Sequence, residues 1–418
     1  MDYSQETRAV RLRVCVALLV AVAAVGSFAV VTSSAAASSG TLTVTTDLKL
    51  TEDHVGNIVI SSDDVTLDCA GYTVRGPGSG PPEIGVLVDG TSGVTVKNCR
   101  VTAFENGIIV ANYGGPSSGN TLTANTGFKN IFSGLALLGS SFNTVVGNRT
   151  VDNTFSGIVL ESAADNRLSN NTAERNGSFG FSLIDSSGNS LQRNVANVNS
   201  LSGGGAGFLV ADGSNGNELI GNVANQNGRA GIGVVIQASA GNSIQSNTAH
   251  GNGAFGILVN DASGNLLEGN SANANGFFGF ALNQAVSNTL RENQVKNNVD
   301  SGIHVFFSSS NTLARNDASN NGGDGIDVLE SNNNVLDSNW ASHNDRSGFT
   351  LNTGATQNSF TANTAEFNGF GFLAHAGSMS NLVSGNVACK NFVIDAYSEP
   401  GATNTWLNNT FCNTSGLP

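Results

Sequence analysis

His304, Asp327 and Arg346 are the residues of this sequence whose types and spacing could carry acid–base chemistry. His304 and Asp327 are 23 residues apart, and each stands two positions after a glycine, Gly302 and Gly325. If the chain repeats with that period, the two stack on adjacent coils with Cα atoms about 4.8 Å apart. That is close enough for an imidazole–carboxylate hydrogen bond, which favours the imidazolium and fixes the ring. His304 would then be a general base with an orienting partner. Arg346, two before Gly348, falls one coil further on, where its guanidinium could neutralise a carboxylate bidentately. Asp300, Asp324 and Asp345 lie in the turns before the same strands and could serve calcium. The other reading of these residues is a merely solvated face.

The elements that must position them follow from a repeat. One asparagine column runs Asn120, Asn143, Asn166, Asn189, Asn217, Asn242, Asn265, Asn288, Asn311, Asn334, Asn358, Asn381, Asn404. Its steps are 23 residues except for 28 after Asn189, 25 after Asn217 and 24 after Asn334. A second column, Asn125 to Asn409, follows five residues later, and a third runs from Asn130 to Asn391 and closes at Asn413. A glycine column includes Gly134, Gly157, Gly180, Gly207, Gly231, Gly256, Gly279, Gly302, Gly325, Gly348 and Gly371. The average coil reads N-x-L-x-x-N-x-A-x-x-N-G-x-x-G-I-x-V-x-x-S-S-G.

Period-2 alternation such as Gly134-Leu135-x-Leu137 marks short strands with one buried face. A 23-residue coil has room for three strands and three turns, each strand pairing with its equivalent one coil on. Asparagine tolerates the left-handed turn conformation, and stacked amides can bond along a column. Glycine before the third strand suits a tight turn. The expectation is an all-β solenoid, a parallel β-helix of roughly 15 coils and about 70 Å at the strand spacing. Residues 41–118 are its irregular coils and 119–418 its regular ladder. No 3.6-residue apolar period persists, which excludes a helix bundle.

The third strand's outward column is predicted to be Ile109, Ala136, Val159, Ser182, Leu209, Gly233, Leu258, Ala281, His304, Asp327, Thr350 and Leu373. Only in its later coils does it turn consistently polar. Insertions fall at Ser202 to Ala206, near Gly231-Ile232-Gly233, and at Arg75 to Ile84, which holds three prolines.

The chain has 418 residues, 52 Gly, 12% charged residues and a formal charge of −13. Arg8, Arg11 and Arg13 precede the uncharged apolar run Val14 to Val31, and Ala35-x-Ala37 is a cleavage site for a signal peptide spanning 1–37. Cleavage predicts a secreted protein with no membrane association; without it the run is long enough to anchor the chain N-terminally. Removing 1–37 lowers Lys+Arg from 18 to 15 and Asp+Glu from 31 to 29, so the mature charge is 15 − 29 = −14. Such a protein is a poor match for nucleic acid or anionic membranes.

Four cysteines remain after Cys15 leaves with the signal. Cys389 and Cys412 are 23 apart, and Cys69 and Cys99 end the matching segments VTLDC and VTVKNC. Equivalent positions on adjacent coils are within disulfide range, and both pairs are predicted to be bridged.

VTLDCAGYTVRG (Val65 to Gly76), GVTVKNCRVTAFENGIIV (Gly93 to Val110) and the serial SGNxLxxNxAxxNGxxGIxV coils resemble the pectin-lyase-like superfamily of right-handed parallel β-helix proteins. They are most similar to its NosD-like, carbohydrate-binding and sugar-hydrolysis branch, over residues 41–418. The resemblance implies a polysaccharide or cell-surface glycan partner, and a site on one strand face. It does not choose a reaction, because the branch includes lyases, hydrolases, C5-epimerases and surface proteins. The polygalacturonase pattern NTD…DD…GHG…RIK and the DPH motif of mannuronan epimerases are absent. No Lys or Arg stands beside three Asp as in calcium-dependent pectate lyases.

Two functions follow. One is a lyase or epimerase on uronic-acid sugars, using His304, Asp327 and Arg346. The other is a non-catalytic surface or adhesive protein whose exposed aromatics, such as Trp340, stack on sugar rings. GGDGIDVLE (Gly322 to Glu330) matches a calcium-binding nonapeptide in a single copy, and overlap with the ladder accounts for it. His54, His250, His343 and His375 read as scattered surface residues. Sequons such as Asn148-Arg-Thr fall on ladder asparagines, where a buried amide cannot carry a glycan. Ice binding would need flat threonine rows, and Arg149, Val195 and Trp340 interrupt them.

Overall fold

The computed structural model describes residues 39–77, 83–200, 204–228 and 231–417. The signal segment and the middle of the proline-rich insertion lie outside the described residues. The fold is all-β, a parallel solenoid of about 15 turns with about 23 residues per turn. The chain divides into two compact units at Ser214/Asn215.

In the first unit each coil contributes to three parallel sheets. Strand Ser133–Leu138 pairs with Ser156–Glu161, which pairs with Phe179–Ile184. Thr121–Thr123 and Arg149–Val151 have equivalent partners in the other two sheets. In the second unit one parallel sheet is formed by Ile257–Asn260, Phe280–Asn283, Ile303–Phe306, Ile326–Leu329, Ser347–Leu351, Phe370–Ala374 and Ile394–Ser398. The third sheet is reduced there to single bridges such as Thr248↔Ser271 until strand Trp340–Ser342 restores it.

Like stacks on like inside. Ile158, Phe181 and Phe208 are fully buried and in register, with the Phe181 and Phe208 rings stacked at 4.7 Å. The ladder asparagines point inward. Asn171 Nδ2 donates to Asn194 Oδ1 one coil on and to Val145 O, while its Oδ1 accepts the backbone N–H and the amide of Asn148. Each asparagine thus saturates corner backbone groups that would otherwise be buried and unpaired.

Two expectations about the corners are corrected. The ladder asparagines are not left-handed; the residue before nearly every one is, as in Phe142 (φ 59°), Asp152 (φ 56°) and Arg175 (φ 53°). That residue makes the corner and is free of type, while the asparagine that follows satisfies it. The glycine column is not there for positive φ either. A Cβ on Gly157 would lie 2.6 Å from Thr150 Oγ1 and 2.7 Å from Gly180 O, so lack of room inside the corner selects glycine. In the 25-residue coil that role falls to Gly233, whose Cβ would lie 2.5 Å from Gly256 O. Val235, not Gly233, therefore pairs with Leu258 in the outward column.

The ladder ends differ from expectation as well. The third column closes on Asp395, whose Oδ1 accepts the Asn391 amide at 2.8 Å, rather than on Asn413. Cys69 and Cys99 are bridged with Cα atoms 4.7 Å apart, and Cys389 and Cys412 with Cα atoms 5.1 Å apart. Cys99 occupies a ladder position, its N–H donating to Asn125 Oδ1 at 3.0 Å, so the first bridge starts the second column where an asparagine would stand.

Candidate functional site

The outward column of the first sheet changes character along the chain. Ile109, Ala136 and Val159 are buried in a separate apolar cluster with Ala111 and Leu138. At His304, Asp327 and Thr350 the column is polar, and alternation turns these side chains away from the core because Ile303, Val305, Ile326 and Val328 fill it.

His304 and Asp327 are paired across adjacent strands, and His304 Nδ1 lies 2.9 Å from Asp327 Oδ2. The other carboxylate oxygen accepts from Asn352 Nδ2 at 3.3 Å. The Phe278 ring stacks on the imidazole at 4.5 Å, with 20° between planes. Asp327 thus holds the ring by one nitrogen, Phe278 holds it by a face, and Nε2 is left for a ligand's proton.

One coil further on, a cleft of about 400 Å³ opens on the same face. Asp324, Arg346, Thr350, Asn352, Phe370 and His375 are among its lining residues. Arg346 reaches back to Asp300, 3.8 Å from Nη1 to Oδ1, and stays largely exposed. Asp324 is buried, and its Oδ1 accepts the Ser347 N–H at 2.9 Å. Burial, and then the Asp327 carboxylate beside it, push the Asp324 carboxyl above the usual carboxylate range. The Ser347 and Thr350 hydroxyls moderate this shift, although neither completes a hydrogen bond.

The structure therefore brings His304 and Asp327 together and sets Arg346 in the adjoining cleft. The calcium set is not assembled: among the described residues no three of His, Cys, Asp and Glu gather as a metal site would need. Asp300 pairs with Arg346, while Asp324 and Asp345 both line the cleft. Within the nonapeptide match, Asp327 is committed to His304 and Asn352.

His375 was missed as a site residue. Its Nδ1 lies 3.1 Å from Glu399 Oε1, forming a second imidazole–carboxylate pair at the cleft's far wall. Asn352 and His375 stand two residues after Thr350 and Leu373, so reading the next outward column along the strand would have found them.

Residues 84–244 and 233–388 match a family model described as right handed beta helix region. No curated protein matches the chain. Among solved structures, the A-module of mannuronan C-5 epimerase AlgE4 from Azotobacter vinelandii is 18% identical, with a TM-score of 0.53 over 69% of this chain and 87% of that one. The AlgE6 A-module from the same organism is 17% identical, with a TM-score of 0.52 over 87% of this chain and 92% of that one. At these identities the likeness is one of fold.

Proposed function

The chain belongs to the right-handed β-helix family, and on that premise we propose that it is a secreted protein acting on polysaccharide, a lyase or C5-epimerase of uronic-acid-containing glycans. The observation that carries this reading is the 2.9 Å contact of His304 with Asp327 on the outward face, beside a cleft that contains Arg346. Both reactions begin by removing the proton at C5, next to the sugar carboxylate. A guanidinium on that carboxylate stabilises the charge that develops, and a fixed imidazole takes the proton. Two disulfides support an oxidising compartment. The epimerase A-modules that share the fold support a carbohydrate role by analogy alone.

The alternative is a non-catalytic glycan-binding protein, favoured by Trp340, 43% exposed on the third sheet. The experiment is incubation with a panel of polyuronates, with and without calcium. It reads ultraviolet absorbance of unsaturated ends and the proton NMR of C5. Glycan binding with no change at C5 in any polymer would establish the alternative instead.

A further inference from the structure

We infer that Asp324 donates the proton to the leaving glycosidic oxygen in a β-elimination for which His304 is the base, and that the substrate is a 4-linked uronate whose C4–O and C5–H bonds lie on the same side of the ring. This rests on the polysaccharide-active reading above and narrows it to one reaction and one stereochemical class.

Asp324 stands three residues before Asp327 and lines the cleft with Arg346. It is anchored from both sides: its N–H donates to Ser301 Oγ at 3.1 Å on the coil before, and its Oδ1 accepts from the Ser347 N–H on the coil after. The hydroxyls of Ser347 and Thr350 lie at the same wall, buried and with no partner in the protein. The two neighbouring aspartates have different environments. Asp327 shares a hydrogen bond with an imidazole, whereas Asp324 is buried at the cleft wall beside it, where burial raises its proton affinity. A carboxyl raised in this way suits the acid role.

The step balances as follows. His304 Nε2 takes the C5 proton. The C–H electron pair becomes the C4=C5 double bond, and the C4–O bond breaks with its pair on oxygen. That oxygen takes the Asp324 proton. Arg346 faces the sugar carboxylate throughout. His304 leaves the step as imidazolium and Asp324 as carboxylate, and exchange with water resets both.

The stereochemistry comes from the fold. His304 stands on strand Ile303–Phe306 and Asp324 in the turn that enters the paired strand Ile326–Leu329, and on the proposal both meet the sugar from that side. Epimerisation removes the proton from one face of C5 and returns it on the other, which this arrangement does not offer. Same-side elimination suits manno- and gluco-configured uronates, whose C4–O and C5–H bonds are cis. In galacto- and gulo-configured uronates they are trans.

The test uses the purified chain with polymannuronate and polygalacturonate, in ordinary and deuterated water. Unsaturated ends are expected from polymannuronate, and at least about 100-fold more slowly from polygalacturonate. Asp324→Asn, which keeps the acceptor for the Ser347 N–H, should cut cleavage about 100-fold or more while leaving C5–deuterium exchange measurable. His304→Ala should lose both. Wild-type-like cleavage by a folded Asp324→Asn protein, equal cleavage of both polymers, or C5 inversion without cleavage would each overturn the inference and leave the broader reading standing. Neither cleavage nor exchange on any uronate would overturn both.

Discussion

The side-chain amide of Asn171 donates to Oδ1 of Asn194 over 3.0 Å, across 23 residues of sequence and one coil of the solenoid. Its own Oδ1 meanwhile accepts from the backbone and side chain of Asn148. Asn171→Ala removes all of these and strands buried groups on both neighbouring coils. At about 1–3 kcal/mol for each unsatisfied buried group, the variant should lose at least about 3 kcal/mol in urea unfolding. A loss under about 1 kcal/mol would mean that water replaces the amide.

The glycines divide into two kinds that substitution should separate. Gly157→Ala places a methyl 2.6 Å from Thr150 Oγ1 in a closed corner and should cost about 1–3 kcal/mol or more by overpacking. Gly147 has φ +65° and open space around it. Gly147→Ala there carries only left-handed strain, about 1–2 kcal/mol, and Gly147→Asn should be nearly neutral. Thermal melts of the three variants test the order.

The bridges Cys69–Cys99 and Cys389–Cys412 close loops with sequence separations of 30 and 23. Each should contribute about 3–4 kcal/mol on the chain-entropy estimate. Peptide mapping without reductant should recover both linked pairs, and the double variant Cys69→Ser/Cys99→Ser should melt lower than wild type. Four free thiols in exported protein would contradict the pairing.

Asp324 should leave a mark on stability as a function of pH. Its carboxyl is raised in the folded chain, so the native state holds a proton that the unfolded chain releases above about pH 4. The contribution is complete below that pH and is lost as pH rises through the raised value. Asp324→Asn removes this dependence. Its melting temperature should therefore gain on wild type between pH 4 and pH 7. Parallel curves would show that Asp324 titrates normally.

Within the proposed reaction, Arg346→Ala should lower kcat as well as raise KM, because the guanidinium stabilises the charge that develops on the sugar carboxylate. Asp327→Asn should lower kcat, since the carboxylate that holds the imidazole by Nδ1 is lost. Unchanged kinetics in both variants would move the chemistry elsewhere.

The sequence by itself determined the solenoid, its period, both disulfides and the facing of His304 toward Asp327. Each of these depends only on positions one coil apart, and a strict 23-residue step turns sequence distance into spatial adjacency. It also misassigned the corner roles. Left-handed φ and lack of room both favour small or polar residues, and composition does not tell one cause from the other until Gly157 is seen against Gly180 O and Asp152 is seen ahead of Asn153. The cleft was out of its reach for a different reason. Whether an outward residue is solvated, buried or concave depends on side chains rising from several coils at once. Only the tertiary structure therefore decided that Ile109 lies in a buried cluster, that Asp324 is buried at the cleft wall beside Asp327, and that His375, paired with Glu399, lines the same cleft.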